Sequence, residues 1–489
     1  MVAEGNARRP GFRYQQLAVE LEEQIRDGIF KVGERLPSLR ELHNRTGYSI
    51  TTVSHAYMEL EDNGLVEPRE RSGFFVQSFN KVLLPLPQPE EQQAAVRPRK
   101  IAKNPLATSI LSAIRDPEMV PFGAALPANR LLPVRQLAQS ARAVAGKYFK
   151  DGGLQYDTDC GVASLKRQIA ARSIGFGERD ADEIIITNGC LDAILLCLRA
   201  VTKPGDIVIV ESPTFSCYLQ LIRKMGLLAL EIPTCPTLGI NISSLEEVLQ
   251  DGVWRRGRVA ACLLNPSFQN PLGFTMPIER KKQLVEILVG HGIPLIEDDV
   301  YGELSFGGGR PAPLKSFDTS GLVLYCSSFS KTVAPDFRVG WILAGRFRDK
   351  IVHLQFNSSI AQSKLPQLIL ADFLESRRYE RHLRNMRTAI SNQVRSTTKA
   401  VARYFPENSR MTAPAGGYLL WVELAENVDA VELFHLARKE KIFIIPGIVA
   451  GSSGKFKNCI RISCGEPWSE KLDDGMKKLG LLVRSLQFR

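Results

Sequence analysis

Lys331 closes the tetrad Ser328-Phe329-Ser330-Lys331, just past the apolar run Leu322 to Cys326. The run reads as a strand, and the small hydroxyl side chains beside the lysine let another group come close to its amine. Asp298 stands at the end of a second apolar run, Ile293 to Glu297. Its carboxylate is therefore presented at a strand's carboxyl end, where open α/β sheets bind ligands. Side chains alternate along a strand, which turns Asp299 the other way. Asn270, in a loop braced by Pro266 and Pro271, and Tyr301, three residues beyond Asp298, supply two hydrogen-bond donors. Phe215 follows a third apolar run, Ile207 to Val210, and offers an aromatic face. Thr187-Asn188-Gly189-Cys190 comes immediately before a helical pattern starting at Leu191. Backbone amides and the helix dipole meet there and favour an anion. Ser328, Ser330 and Arg338 add hydroxyls and a guanidinium.

An amine for a carbonyl, a carboxylate for a ring nitrogen, donors for a phenolate oxygen, a ring to stack on and a phosphate cradle are what pyridoxal 5'-phosphate requires. In that scheme Lys331 bonds the cofactor and Asp298 keeps the ring nitrogen protonated. Asn270 and Tyr301 donate to the phenolate oxygen, which lowers the pKa of the lysine adduct. Phe215 stacks on the ring, while Asn188, Gly189, Cys190, Ser328, Ser330 and Arg338 hold the phosphate. Taken singly the signals are weak: a lone lysine is a surface residue in most proteins, and a lone Phe is core. Their joint spacing carries the reading. Two decoys fall away. Gly451 to Lys455 lacks the spacer and the following hydroxyl of a nucleotide loop, and six histidines without an H-E-x-x-H pattern give no metal site.

From about Pro121 to the carboxyl end this set resembles the fold type I aminotransferases, the aspartate aminotransferase superfamily. The resemblance implies an α/β pyridoxal-phosphate-dependent transferase fold with a smaller carboxy-terminal α/β subdomain. It adds Tyr156, within Tyr156 to Gly161, as a phosphate contact reaching over from a partner subunit. It also adds Arg461, in Ile460-Arg461-Ile462-Ser463, as the clamp for an amino acid's α-carboxylate, a group that the guanidinium fork matches. Cys190 takes the place of a hydroxyl often found at the cradle, which shifts phosphate binding toward backbone amides.

These residues need a scaffold, and 489 residues with 44% apolar content exceed what one core usually fills. Apolar strands such as Ile184 to Ile186, Ile207 to Val210 and Ala261 to Leu264 alternate with amphipathic helical segments, which implies a mostly parallel sheet over residues 105–489. Residues 80–104 are rich in Pro, Gln and charge and read as a partly extended linker. Nowhere do eighteen apolar residues run together, and nine scattered cysteines form no C-x-x-C pair. We expect a soluble cytoplasmic protein with reduced cysteines and no membrane partner.

Residues 12–79 form a different module. Leu17, Leu21 and Ile25 lie on one face of a helix ended by Gly28. Ser38 and Glu41 make a capping box that starts a second helix, Gly47 makes a turn, and Ser49 caps a third helix. Val53, Ala56, Tyr57 and Leu60 of that helix face inward, leaving Ile50, Thr51, Thr52, Ser54 and His55 outward near its start. Outward hydroxyls at a helix's amino end suit a major groove. The net charge of +11 suggests a polyanionic partner, yet acids slightly outnumber bases in the first 80 residues. Phosphate contacts there must come from local groups such as Arg40, Arg45, Arg69 and Arg71.

Tyr14 to Val76 resembles the winged helix-turn-helix of the GntR family, on Leu36 to Leu42, Ser49 to Val53, Ala56 to Glu61 and Gly64 to Val76. By resemblance Arg40, Thr51 and Thr52 face DNA, and the wing tip Arg69, Arg71, Ser72 and Gly73 approaches the minor groove. Ile50 stands where many members have Arg, which leaves a thymine methyl as its contact. A GntR-type head, a linker and an aminotransferase-like body together resemble the MocR subfamily of regulators. That resemblance implies a homodimer that binds an operator in double-stranded DNA and responds to an amino compound, or to pyridoxal phosphate itself. The alternative is a working aminotransferase with an accessory DNA-binding module.

Overall fold

The computed structural model describes residues 13–26, 29–31, 33–62, 65–69, 72–76, 84–88, 96–150, 154–156, 158–172, 181–250, 258–307, 309–376, 378–452 and 454–488. Gly28, expected to end the first helix, and Arg71 of the wing tip lie outside them. The chain divides into two compact units, residues 1–83 and 84–489.

In the first unit α1 (Arg13–Arg26) buries Leu17, Ala18, Leu21 and Ile25. These residues recur every three or four positions and so form one face of a 3.6-residue helix. Helix α2 (Leu39–Thr46) begins at the expected capping box, with Ser38 and Glu41 bonding each other's backbone amides, and ends at Gly47 in the left-handed region (φ 72°). Helix α3 (Ile50–Asp62) inserts Val53, Ala56, Tyr57 and Leu60 into the same core. The Tyr57 hydroxyl donates to the Pro37 carbonyl at 2.6 Å, so this large buried side chain leaves no polar atom unpaired. The wing is the antiparallel pair β1 (Val66–Arg69) and β2 (Gly73–Val76), in register Val66 to Val76. Truncating a core residue such as Leu21 to Ala costs about 2–5 kcal/mol, a large share of what a domain this small has to spare.

The second unit is built on an eight-stranded sheet of β3 (Ile184–Thr187), β4 (Ile207–Ser212), β5 (Leu228–Cys235), β6 (Gly239–Ile240), β7 (Val259–Leu264), β8 (Leu295–Asp298), β9 (Val323–Ser328) and β10 (Gly340–Leu343). Their order is β3-β10-β9-β8-β7-β4-β5-β6. The pairs β5-β4, β4-β7, β7-β8 and β8-β9 are parallel, whereas β10 runs antiparallel to both neighbours and β6 antiparallel to β5. Strands covered on both faces read as continuous apolar runs. Accordingly Val208 and Val210 enter one apolar cluster while Ile207 and Ile209 enter another.

Beyond it, β11 (Arg410–Met411), β12 (Leu419–Glu423), β13 (Ile445–Pro446) and β14 (Cys459–Ser463) form an antiparallel sheet in the order β11-β12-β14-β13. Helices Arg378–Tyr404, Ala430–Lys439 and Glu470–Gln487 pack Met386, Leu433 and Met476 into its core. This is the smaller subdomain.

Described parts of the segment read as a linker are docked on the second unit. Leu84 is buried in the subdomain core, the Pro85 carbonyl accepts from Met411 at 2.8 Å, and Arg99 exchanges backbone hydrogen bonds with Ala229 at 2.8 and 2.9 Å. Proline-rich composition gives an extended chain, and an extended chain can lie along a sheet as readily as it can span a gap.

Candidate functional site

The candidate residues of the body collect at the carboxyl ends of the parallel strands, and the alternation of β8 explains which acid goes where. Ile296 and Asp298 share a face, so Asp298 enters the surroundings of Cys190 and Tyr218, with which Ile296 clusters. The Tyr218 hydroxyl donates to its carboxylate. Cys190 Sγ donates to Asp298 Oδ1 at 3.4 Å and the Val300 amide at 3.2 Å. Burial pushes Asp298 up to about 6, although those three donors hold it down. Asp299 faces the other way, onto Arg310 at 2.6 Å and the Tyr325 hydroxyl at 3.0 Å. It is therefore committed to an internal ion pair and not available to a ligand.

Lys331 follows β9 in a single 3₁₀ turn, Phe329–Lys331, capped by the Ser328 hydroxyl. Its Nζ donates to the Ala125 carbonyl at 2.7 Å and sits 5.9 Å from the centre of the Tyr301 ring. Burial, with the nearby Arg461 guanidinium second, brings the amine down to about 8. A useful fraction is therefore neutral and nucleophilic near neutral pH. Tyr301 is buried edge-on against Tyr418 at 5.5 Å, and burial raises its phenol well above the ordinary value. Phe215, half-buried at the start of the helix Ser216–Lys224, meets Tyr218 edge-on at 5.3 Å.

The residues expected to cradle a phosphate come together where β3 and β9 flank the start of β10, because Gly340 is opposite both Thr187 and Ser328. Arg338 bonds Ser330 Oγ at 3.3 Å and the Asn188 carbonyl at 3.1 Å. Glycine is required at two points here. A Cβ on Gly189 (φ 87°) would lie 2.3 Å from Arg338 Nη2, and one on Gly340 would lie 2.5 Å from the Gly189 carbonyl carbon. Gly189 caps the helix Cys190–Val201, whose positive dipole end therefore lies beside these residues. Two expectations are refined. The Asn188 amide is taken by the Asp192 carboxylate at 3.0 Å. The Cys190 side chain turns to Asp298, so what it can offer a phosphate is its backbone.

Arg461, on β14, is buried, with Nη1 donating to Asn270 Oδ1 at 3.1 Å and Nη2 to the Gly123 carbonyl at 2.8 Å. Among the described residues its Nε has no hydrogen-bond partner, and burial lowers the guanidinium pKa. Neither Arg461 nor Lys331 makes an ion pair within 4.0 Å among the described residues. A buried guanidinium with a free donor and no carboxylate is costly unless a ligand supplies the anion. The donor set thus fits pyridoxal phosphate together with a carboxylate-bearing amine. Tyr156 stands apart, exposed at 75%.

Four contributors were not foreseen. Tyr218 looks like core in the sequence, and its position in the helix after Phe215 is the only local hint. Asn265 donates to the Asp298 carbonyl at 2.7 Å and accepts from the Asn270 amide at 2.8 Å, which ties the two functional loops together. Ala125 acts through its backbone carbonyl, so its residue type carries no signal. Tyr418 donates to that same carbonyl at 3.2 Å.

On the first unit Arg40, Ile50, Thr51, His55, Arg69 and Ser72 are exposed, while Thr52, Ser54 and Gly73 are half-buried. Ser49 is exposed, yet its hydroxyl takes the Thr52 amide at 3.1 Å and lies 2.8 Å from the Thr52 hydroxyl. Both hydroxyls thus serve the helix start. Arg69 pairs with Glu67 at 3.0 Å and lies 4.3 Å from the Phe75 ring centre. His55 meets Tyr14 edge-on at 5.7 Å.

Among the described residues no helix is long and apolar enough to cross a membrane, and no group of three or more His, Cys, Asp or Glu is placed to hold a metal. None of the nine cysteines is in a disulfide.

Comparison with known proteins agrees with both halves. Residues 13–76 match the GntR family of bacterial regulatory proteins, and residues 129–479 match the class I and II aminotransferases. Two uncharacterized HTH-type transcriptional regulators of Escherichia coli, YjiR and YdcR, are 38% and 39% identical, each over 96% of this chain and 98% and 99% of their own. A kynurenine aminotransferase of Pyrococcus horikoshii, solved with PMP, superposes with a TM-score of 0.72 at 27% identity, covering 78% of this chain and 95% of its own. The chain belongs to the class I and II aminotransferase family and carries a GntR-family helix-turn-helix ahead of that body, the MocR-type arrangement.

Proposed function

We propose that this protein is a homodimeric transcription regulator whose winged head binds operator DNA and whose body holds pyridoxal phosphate and answers to a carboxylate-bearing amine. The observation that carries this reading is the pair Lys331 and Arg461. They are two cations without an ion pair among the described residues, Lys331 half-buried and Arg461 buried, donating to carbonyls two residues apart, at Ala125 and Gly123. Bound there, pyridoxal phosphate supplies an electrophilic carbonyl carbon and an electron-withdrawing ring. The protein's own part is positional. Lys331 supplies the amine, Asp298 holds a proton at the ring nitrogen, and Asn270 and Tyr301 donate to the phenolate oxygen. Phe215 stacks, and Arg338, Ser328, Ser330 and the backbone of Gly189 and Cys190 cradle the phosphate. Arg461 takes the ligand's carboxylate through its fork. Tyr156, exposed on its own chain, is suited to complete the cradle of a partner subunit.

In the head, Ile50 and Thr51 face outward at the amino end of α3 and are offered to the major groove, and Arg40 faces outward on α2. Ser54, His55 and the wing residues Ser72 and Gly73 flank them. A coupling of about 1–3 kcal/mol between ligand site and head gives a change in DNA affinity of roughly 5- to 150-fold. A gel-retardation assay on DNA upstream of the gene, with pyridoxal phosphate and amino acids added singly, tests this. Retention that changes with an amine supports the regulator. Retention indifferent to every amine contradicts the coupling, and rapid turnover of amino and 2-oxo acids without retention contradicts the whole reading. Working transamination is the second reading, favoured by a complete donor set and a lysine poised at about 8.

A further inference from the structure

The Ala125 carbonyl oxygen receives two donors, Lys331 Nζ at 2.7 Å and the Tyr418 hydroxyl at 3.2 Å. Tyr418 is fully buried, at 0% exposure, and its ring is fixed edge-on against Tyr301. A carbonyl oxygen has two lone pairs, so the two donors fill it without competing. The peptide they share lies two residues beyond Gly123, whose carbonyl is held by Arg461. The lysine amine in its free form thus has a prepared acceptor, and the acceptor has a rigid second anchor.

We propose that Tyr418 is a positioning residue: by anchoring the Ala125 carbonyl, its hydroxyl fixes the resting place of the Lys331 amine once an incoming amine has displaced it. This rests on the reading of Lys331 as the pyridoxal phosphate lysine. In the exchange, the incoming nitrogen forms the double bond to the cofactor's carbonyl carbon and the bond from that carbon to the Lys331 nitrogen breaks. Both hydrogens of the incoming NH₂ group leave on the lysine nitrogen, so no oxidant or reductant is needed. Of the two cofactor-loaded states only the displaced one has a free lysine, so between them only that state gains from the resting place. An anchor that stabilises one side of an exchange shifts its equilibrium, whereas a residue that merely holds the fold moves both sides together.

Tyr418→Phe removes one oxygen and leaves the ring against Tyr301, which makes it the decisive variant. The loaded protein is titrated with aminooxyacetate, which carries both an NH₂ group and a carboxylate, and displacement is followed by the visible spectrum. Propionate, which carries the carboxylate alone, is titrated in parallel. The half-saturating aminooxyacetate concentration is expected to rise roughly three- to tenfold, the worth of one hydrogen bond. Affinity for propionate stays within twofold, and affinity for pyridoxal phosphate holds or tightens, because the cofactor-free protein also has a free lysine that loses its resting place. Equal aminooxyacetate midpoints in the two proteins overturn the proposal, and so does a parallel loss of all three affinities. A wild-type protein that stays colourless with pyridoxal phosphate instead overturns the underlying cofactor reading.

Discussion

The head wears its chemistry on the outside, and the body buries it. Arg40, Ile50 and Thr51 stand in water, whereas Asp298 and Arg461 are more than nine-tenths buried. Solvent screens the first set, so each contact it makes with a polyanion is modest, roughly additive and salt-dependent. Burial amplifies the second set, moving Asp298 up to about 6 and Lys331 down to about 8 and leaving Arg461 with an unused donor. Single changes in the body therefore act all-or-none, and single changes in the head act by degrees.

The sharpest way to break that contrast is at Lys331. Replacing it with Ala is expected to abolish the visible absorbance that develops with pyridoxal phosphate, while DNA retention by the head persists. An unchanged spectrum removes Lys331 from its role. Next comes Arg461→Met, expected to weaken a carboxylate-bearing amine by about 30-fold or more, the usual cost of removing one partner of a buried, hydrogen-bonded charge pair. Equilibrium titration checks this, and an unaltered midpoint places the clamp elsewhere.

The pH dependence of cofactor capture follows in size. The amine reacts when neutral, and its value of about 8 lies below the ordinary 10.5. The rate is therefore expected to rise about tenfold per pH unit below 8 and to level off above it. Arg461→Met removes a cation that depresses the amine, so the plateau moves to higher pH; stopped-flow absorbance across pH 6–10 reads both. Smallest is Arg40→Ala, expected to weaken all DNA sequences alike and to reduce the slope of log affinity against log salt by about 1. A sequence-selective loss there makes Arg40 a base reader instead.

Much of this was legible in residue types. Strand alternation alone separated Asp298 from Asp299, and a capping box fixed the start of α2 because its two hydrogen bonds are local. Lys331, Asn270 and Arg338 could be named as candidates because their chemistry is written in their side chains. What escaped acts at long range or through the backbone. Tyr218 reaches Asp298 across 80 residues and Tyr418 reaches Ala125 across 293, and no local pattern records either contact. The docking of Leu84 and Arg99 was hidden for another reason, since Pro-rich chain is extended whether it bridges or packs. In the head, sequence showed which residues face outward but not that Ser49 and Thr52 would bond each other.

The measurement that tests the central claim most directly is one titration read two ways. The protein, loaded with pyridoxal phosphate and bound to fluorescent operator DNA, receives an amino acid while visible absorbance and DNA anisotropy are followed in the same cuvette. The account predicts that both signals change with one shared midpoint and that Lys331→Ala removes both responses. An absorbance change that leaves anisotropy flat at saturating ligand contradicts it.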